Sequence, residues 1–260
     1  QSIFSGIELF LLPKVFNNFG TPGVFIWFAV FFALLIPLVF LVSNYYKVKD
    51  SSLAEIPSQK QPEEESLFSI LPWIFLSSIF FFYLGVSSFW TYAERLGGYA
   101  GFSGEEFSIY LSVGILMVLF GCAMAYWVSK YMGFTKPLVT AMAVVSIAFA
   151  MIASGYSQTI FLLGMFSFFL MWNFIDILQL GNLSKIDNNG HYVALVPAFQ
   201  AIGLALGPAI SALVLDSNWR LADVMTLNSI NVGISLTCLI LAFSMLANSS
   251  KKQSLSPSLN

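Results

Sequence analysis

Two stretches of this chain set ionisable and hydrogen-bonding groups beside aromatic rings in otherwise apolar surroundings. Phe89-Trp90-Thr91-Tyr92-Ala93-Glu94-Arg95 places adjacent opposite charges and two large aromatic rings at the end of a long apolar run. Met171-Trp172-Asn173-Phe174-Ile175-Asp176-Ile177-Leu178-Gln179 places a carboxylate, two amides and an indole well inside another. At helical spacing Trp172, Asn173, Asp176 and Gln179 are expected to share one face, with Phe174, Ile177 and Leu178 covering the rest. Such a set can bind a polar solute or hold and release a proton.

Enzyme chemistry is not what these residues suggest. Catalysis needs a cluster such as paired His and carboxylates, or a Ser with a base, and none is visible, so no catalytic residue is assigned. His191 is the single histidine and has no Cys or second His near it; a loop histidine is the expected reading, and no metal site is assigned. Cys122 and Cys238 both fall inside apolar runs, where small thiols are ordinary packing residues. No cofactor is expected.

The rest of the chain defines the environment of the two stretches. With 58% hydrophobic and 9% charged residues and a mean hydropathy of +0.81, the chain has too little charge for the surface of an ordinary soluble domain. It reads as an all-α integral membrane protein. The apolar residues come in long continuous runs, whereas a membrane barrel shows segments of about ten residues with alternating polarity. A net charge of -2 without a basic cluster argues against nucleic acid as a partner.

Residues 1–44 contain a short apolar segment to Leu12, a turn expected over Pro13 to Gly23, and a span from Val24 to Val42. Residues 45–66 form a linker carrying Lys47, Lys49, Asp50, Lys60 and the run Glu63 to Glu65, with Pro57 and Pro62 opposing a regular helix. Residues 67–247 hold six spans: Leu67 to Trp90, Ser103 to Val128, Leu138 to Ala153, Thr159 to Leu180, Val193 to Leu215 and Ala222 to Leu246. Between them turns are expected at Gly97 to Gly101, Ser129 to Pro137, Ser154 to Gln158, Gly181 to Tyr192 and Asp216 to Arg220. Ser103 and Glu106 form a capping-box pattern, and a polar tail follows at 248–260. Gln1 begins in mid-pattern without a signal-peptide succession, so the chain is expected to be a piece of a longer protein.

Lys and Arg are retained on the cytoplasmic side of a membrane during insertion. Alternate assignment puts Lys47, Lys49, Lys60, Lys130, Lys136, Lys185, Lys251 and Lys252 on one side and Lys14, Arg95 and Arg220 on the other. The linker and C-terminus are therefore expected to be cytoplasmic, with Glu94 and Arg95 at the outer end of their helix. Trp27, Trp73, Trp90, Trp127 and Trp219 lie near span ends, where indoles favour the bilayer boundary. Trp172 lies deep in its span and needs another reason.

A charged side chain near the bilayer centre costs about 2.5–3.5 kcal/mol on insertion scales, so Asp176 should face a cavity or a partner or be protonated. The alternatives are a pathway or proton-carrying role and a plain bond to a neighbouring helix. Glu94 and Arg95 are gate or end charges. Gly203-Leu204-Ala205-Leu206-Gly207-Pro208 is a small-xxx-small step followed by a proline, suited to close packing and bending. Gln200, one turn earlier, adds a polar group that reaches a cavity or cross-links helices.

The six spans from Leu67 to Leu246, with the charged linker ahead of them, resemble the second half of a major facilitator superfamily transporter. Trp90 to Gly97, Trp127 to Leu138 and Gly203 to Ile210 are similar to segments of that family at the end of the seventh helix, between helices eight and nine, and in helix eleven. Ser129, Phe134 and Thr135 depart from the usual residues of the second of these. The resemblance implies a six-helix C-terminal bundle preceded by about one and a half helices of an N-terminal bundle, partial helix five and helix six. The remainder of that bundle would be a partner within the same chain. It implies alternating-access transport of a small organic solute, secondary active and with proton coupling as a further hypothesis, in a bacterial inner or plasma membrane. Trp90, Tyr92, Trp172, Asn173 and Gln200 would line the cavity, and Asp176, Glu94 and Arg95 would serve coupling or gating. A seven-helix receptor or membrane scaffold without transport is the alternative.

Overall fold

The computed structural model describes residues 10–30, 33, 70–155, 157–187, 189–216 and 220–254, and these are helical with short connections and no strand. After a helix over residues 10–30 (α1) come α2 (Ile70–Tyr99), α3 (Gly104–Met132), α4 (Thr135–Ser154), α5 (Gln158–Ile186), α6 (His191–Asp216) and α7 (Leu221–Ser254). The last six are long and apolar enough to cross a membrane. The chain is a multi-pass membrane protein built as a helical bundle.

Several expected breaks are shorter than the residue types suggest. The turn over Pro13 to Gly23 is instead helix, and only Gly20, at a φ of 64°, leaves right-handed geometry. Gly97 and Gly98 continue α2, and the break expected over Gly181 to Tyr192 shrinks to the few residues between Ile186 and His191. Likewise α3 and α4 flank a connection of Gly133 and Phe134, and α7 continues through part of the expected tail. For the breaks that adjoin the apolar spans the physical reason is shared: away from water the cheapest way to satisfy a backbone amide is the next helical bond, so Gly, Asn and Ser that would start a turn in solution stay in the ladder. The 45–66 linker, Trp219 and most of the Val24 to Val42 span lie outside the described residues.

Where helices do end, local chemistry is explicit. Ser103 Oγ accepts from the Glu106 amide at 3.3 Å while the Glu106 carboxylate accepts from the Ser103 amide at 3.0 Å, a full capping box at the start of α3. Gly133 and Gly155, both at positive φ, follow α3 and α4. Asp187 follows α5, and its Oδ2 accepts from the Val193 amide at 2.7 Å, satisfying a free donor of the first turn of α6.

The packing has an internal order. Helix α2 lies along α6 and α7, α5 lies along α3 and α4, and α4 lies along α7, while within each set of three, α2 to α4 and α5 to α7, helices consecutive in sequence barely touch. Exchanging α2, α3 and α4 for α5, α6 and α7 leaves this pattern unchanged. In α2, α3, α5 and α6 the contacts obey the exchange residue by residue. A Cβ on Gly207 of α6 would collide with the Leu84 carbonyl of α2, and one on Gly121 of α3 would collide with the Leu170 carbonyl of α5. Leu84 and Leu170 are 86 positions apart, as are Gly121 and Gly207. At the α4/α7 contact, where the spacing shortens to 83 positions, Ser146 and Ser229 each donate to the other's carbonyl, at 3.1 and 2.8 Å, the reciprocal pairing of a two-fold axis. Each repeat has three spans, so the axis that relates them inverts one with respect to the other and lies in the membrane plane.

Close approach rather than apolar burial holds these helices, because lipid tails are as apolar as Leu. Gly203 meets the Phe80 carbonyl and Tyr83 Cβ, where an added Cβ would stand at 2.8 and 3.0 Å. Gly164 of α5 similarly abuts the Ala148 carbonyl of α4. Hydroxyls then bridge the backbones: Ser87 Oγ donates to the Gly203 carbonyl at 3.2 Å, and Ser211 Oγ to Ser88 Oγ at 2.9 Å. Ser235 Oγ of α7 donates to the Ser78 carbonyl at 2.7 Å.

Candidate functional site at the crossing of α2 and α5

The first helices of the two repeats, α2 and α5, run antiparallel and meet at mid-length. Tyr83, near the middle of α2, donates its hydroxyl to Asp176 Oδ2 at 2.7 Å. One turn further toward the Ile70 end of α2, Gln179 Nε2 donates to Ser78 Oγ at 3.4 Å. On the other side of the crossing, the Trp90 ring lies 5.5 Å from Phe169 and 5.8 Å from Trp172. Trp172 also stacks on Phe168 at 6.0 Å with an interplanar angle of 12°. Phe89, Phe149, Phe168 and Phe169 form the packed aromatic floor beneath these rings.

The two-fold exchange explains the arrangement. Tyr83 and Phe169 are 86 positions apart, and so are Trp90 and Asp176. The Tyr83–Asp176 hydrogen bond and the Phe169–Trp90 ring contact are therefore equivalent contacts on opposite sides of the axis. One is polar and the other aromatic, so the centre of the crossing is chemically asymmetric although its backbone is nearly symmetric.

Three polar atoms at this crossing are buried without a hydrogen-bond partner: Asp176 Oδ1, Trp90 Nε1 and Trp172 Nε1. The Trp172 indole neighbours the Tyr83 hydroxyl but does not meet hydrogen-bonding geometry with it. A buried polar group without a partner is costly. Two donors and one acceptor left open within a single cluster are groups that water or a bound species carrying the complementary groups can meet. The parent residues are each half-buried, so the cluster reaches the edge of the bundle.

Trp172, Asp176 and Gln179 share the face toward α2, but Asn173 does not. Its Nδ2 points to Cys122 Sγ of α3 at 3.7 Å. The expectation of one face for all four residues is corrected here, because successive residues of an α-helix differ by about 100° in direction. Measured from Trp172, Asp176 lies about 40° round and Gln179 about 20° the other way, whereas Asn173 lies about 100° round, outside that arc.

The other candidates lie apart from the cluster. Tyr92 is buried, with the Arg95 guanidinium over its ring at 5.9 Å, and Glu94 and Arg95 are exposed in the last two turns of α2. Gln200 is half-buried, one turn before Gly203 and toward the α6 end where Tyr192 meets Trp73. Gly203 and Gly207 are buried against α2, and Pro208 follows within the helix. His191 is the exposed first residue of α6, and among the described residues no group of His, Cys, Asp and Glu could hold a metal ion.

Sequence reasoning missed Tyr83 and the proximity of Trp90 to Trp172. A tyrosine in the apolar run of α2 has no local signal of its own. The exchange by 86 positions is the one clue that could have paired it with α5. The chain matches no known protein family, no curated protein and no solved structure.

Proposed function

We propose that this chain is the second half of a major-facilitator-type secondary transporter, which moves a small organic solute by alternating access. A first six-helix bundle would rock against α2–α7 about the crossing of α2 and α5. The observation that carries this reading is that the single charge in the middle of the described spans, Asp176, lies where the first helices of two inverted three-helix repeats cross. Binding at the interface of inverted repeats near the bilayer midplane is the common plan of secondary transporters. A receptor or scaffold needs neither the inverted repeat nor a half-satisfied carboxylate at its centre.

Asp176 is the group we assign to proton coupling. It would take up a proton when open to one side and release it when open to the other, with the Tyr83 hydroxyl steadying the ionised form. Glu94 and Arg95 would stand at the outer mouth. Lys130, Lys136 and Lys185 would mark the cytoplasmic end, since Thr135 of α4 pairs with Asn182 of α5 there at 3.2 Å. In sealed vesicles holding the full-length protein, Asp176→Asn is expected to abolish gradient-driven accumulation. Accumulation at the wild-type level would remove the coupling role, and tight vesicles that move no solute on reconstitution would favour the scaffold.

A further inference from the structure

Resting on the transport reading, the crossing also carries information about the solute. From the three open polar atoms and the distribution of charge around them, we infer that Trp90, Trp172 and Asp176 form a subsite for a protonated organic amine that carries an aromatic or other flat apolar group. Asp176 Oδ1 is an acceptor without a donor, and Oδ2 is already engaged by Tyr83 at 2.7 Å. An ammonium N–H supplies the missing donor together with the opposite charge, making a charge-assisted bond. The Trp90 and Trp172 rings, 5.8 Å apart, supply aromatic surface against which the flat apolar group of the solute would pack. Their unpaired N–H groups suit an ether, hydroxyl or carbonyl oxygen elsewhere on the solute.

Within α2–α7 the charge favours a cation over an anion. No Lys or Arg occupies the middle of any described span. Arg95 is the nearest cation along α2, twelve residues and about 18 Å of helix beyond Tyr83, and it is turned over Tyr92. Among the described residues, an anionic solute at this crossing would find Asp176 and no counter-charge. The two-fold exchange adds a geometric point. Trp90 and Asp176 occupy equivalent positions on opposite helices, and Trp172, one turn before Asp176 on α5, lies 5.8 Å from the Trp90 ring and links the two. The three atoms are covered in this conformation, so entry requires an indole ring to swing aside, and the rings then close over the bound group.

The test uses full-length protein in lipid nanodiscs and reads intrinsic tryptophan fluorescence during titration with benzylammonium or its neutral isostere benzyl alcohol. Wild type is expected to bind benzylammonium about tenfold or more tightly than benzyl alcohol, and Asp176→Asn to erase that preference. Trp172→Phe is expected to weaken benzylammonium binding and reduce the optical signal. Equal binding of the two probes, or no binding of benzylammonium at millimolar concentration, overturns the subsite and leaves an ordered water as its occupant. The wild-type comparison needs no variant, so it stands even if a substitution impairs folding. Amine binding without flux in vesicles would keep the subsite and remove transport, whereas flux of neutral solutes without amine binding would remove the subsite alone.

Discussion

Tyr83 and Asp176 join the first helices of the two repeats through a 2.7 Å hydrogen bond, and their counterparts under the internal exchange, Phe169 and Trp90, meet only through their rings. The bond is thus a departure from symmetry at the place where symmetry is tightest. Tyr83→Phe would leave both oxygens of Asp176 without a protein donor. We expect a loss of about 1–2 kcal/mol of stability in detergent, together with impaired flux. A double-mutant cycle with Asp176→Asn should be strongly non-additive, because each single change removes the same contact. Additive effects would show that the bond carries no coupling.

Gly207 and Gly121 make equivalent close approaches to the carbonyls of Leu84 and Leu170. Gly207→Ala and Gly121→Ala should each lower the thermal midpoint measurably, since the added Cβ meets backbone that has little room to give. Gly98→Ala, where nothing lies within 4 Å, serves as the control and should be neutral or slightly stabilising through helix propensity. Equal midpoints for all three would contradict the packing.

Ser146 and Ser229 bond reciprocally across the α4/α7 contact. Interhelical hydrogen bonds in membranes average about 0.6 kcal/mol. The coupling energy between Ser146→Ala and Ser229→Ala should be about that size, read from unfolding of the single and double variants. Flux should change little, because neither residue touches the crossing of α2 and α5.

Ser103→Ala removes the hydroxyl arm of the capping box at the start of α3. The expected cost is about 1 kcal/mol, confined to that end of the helix. Hydrogen exchange should rise at the first amides of α3, notably Glu106, and remain unchanged near Asp176.

The one-dimensional pattern was enough to establish a helical membrane chain, to locate six spans, and to single out Asp176 and Trp172. Long apolar runs have no other stable form in a bilayer, and a carboxylate or an indole at mid-span stands out against that background. Helix ends were less legible, since Gly97, Gly98 and Asn182 carry turn-forming chemistry that the membrane environment overrides. What only the tertiary structure decided is which groups meet. Local periodicity says which side of its own helix Asp176 occupies. It cannot say that Tyr83, 93 residues earlier in the chain, stands opposite, that Asn173 turns to Cys122, or that Trp90 closes on Trp172. Those contacts follow from how α2 and α5 cross, and that crossing is set by the glycine and serine approaches of α3, α6 and α7 around them.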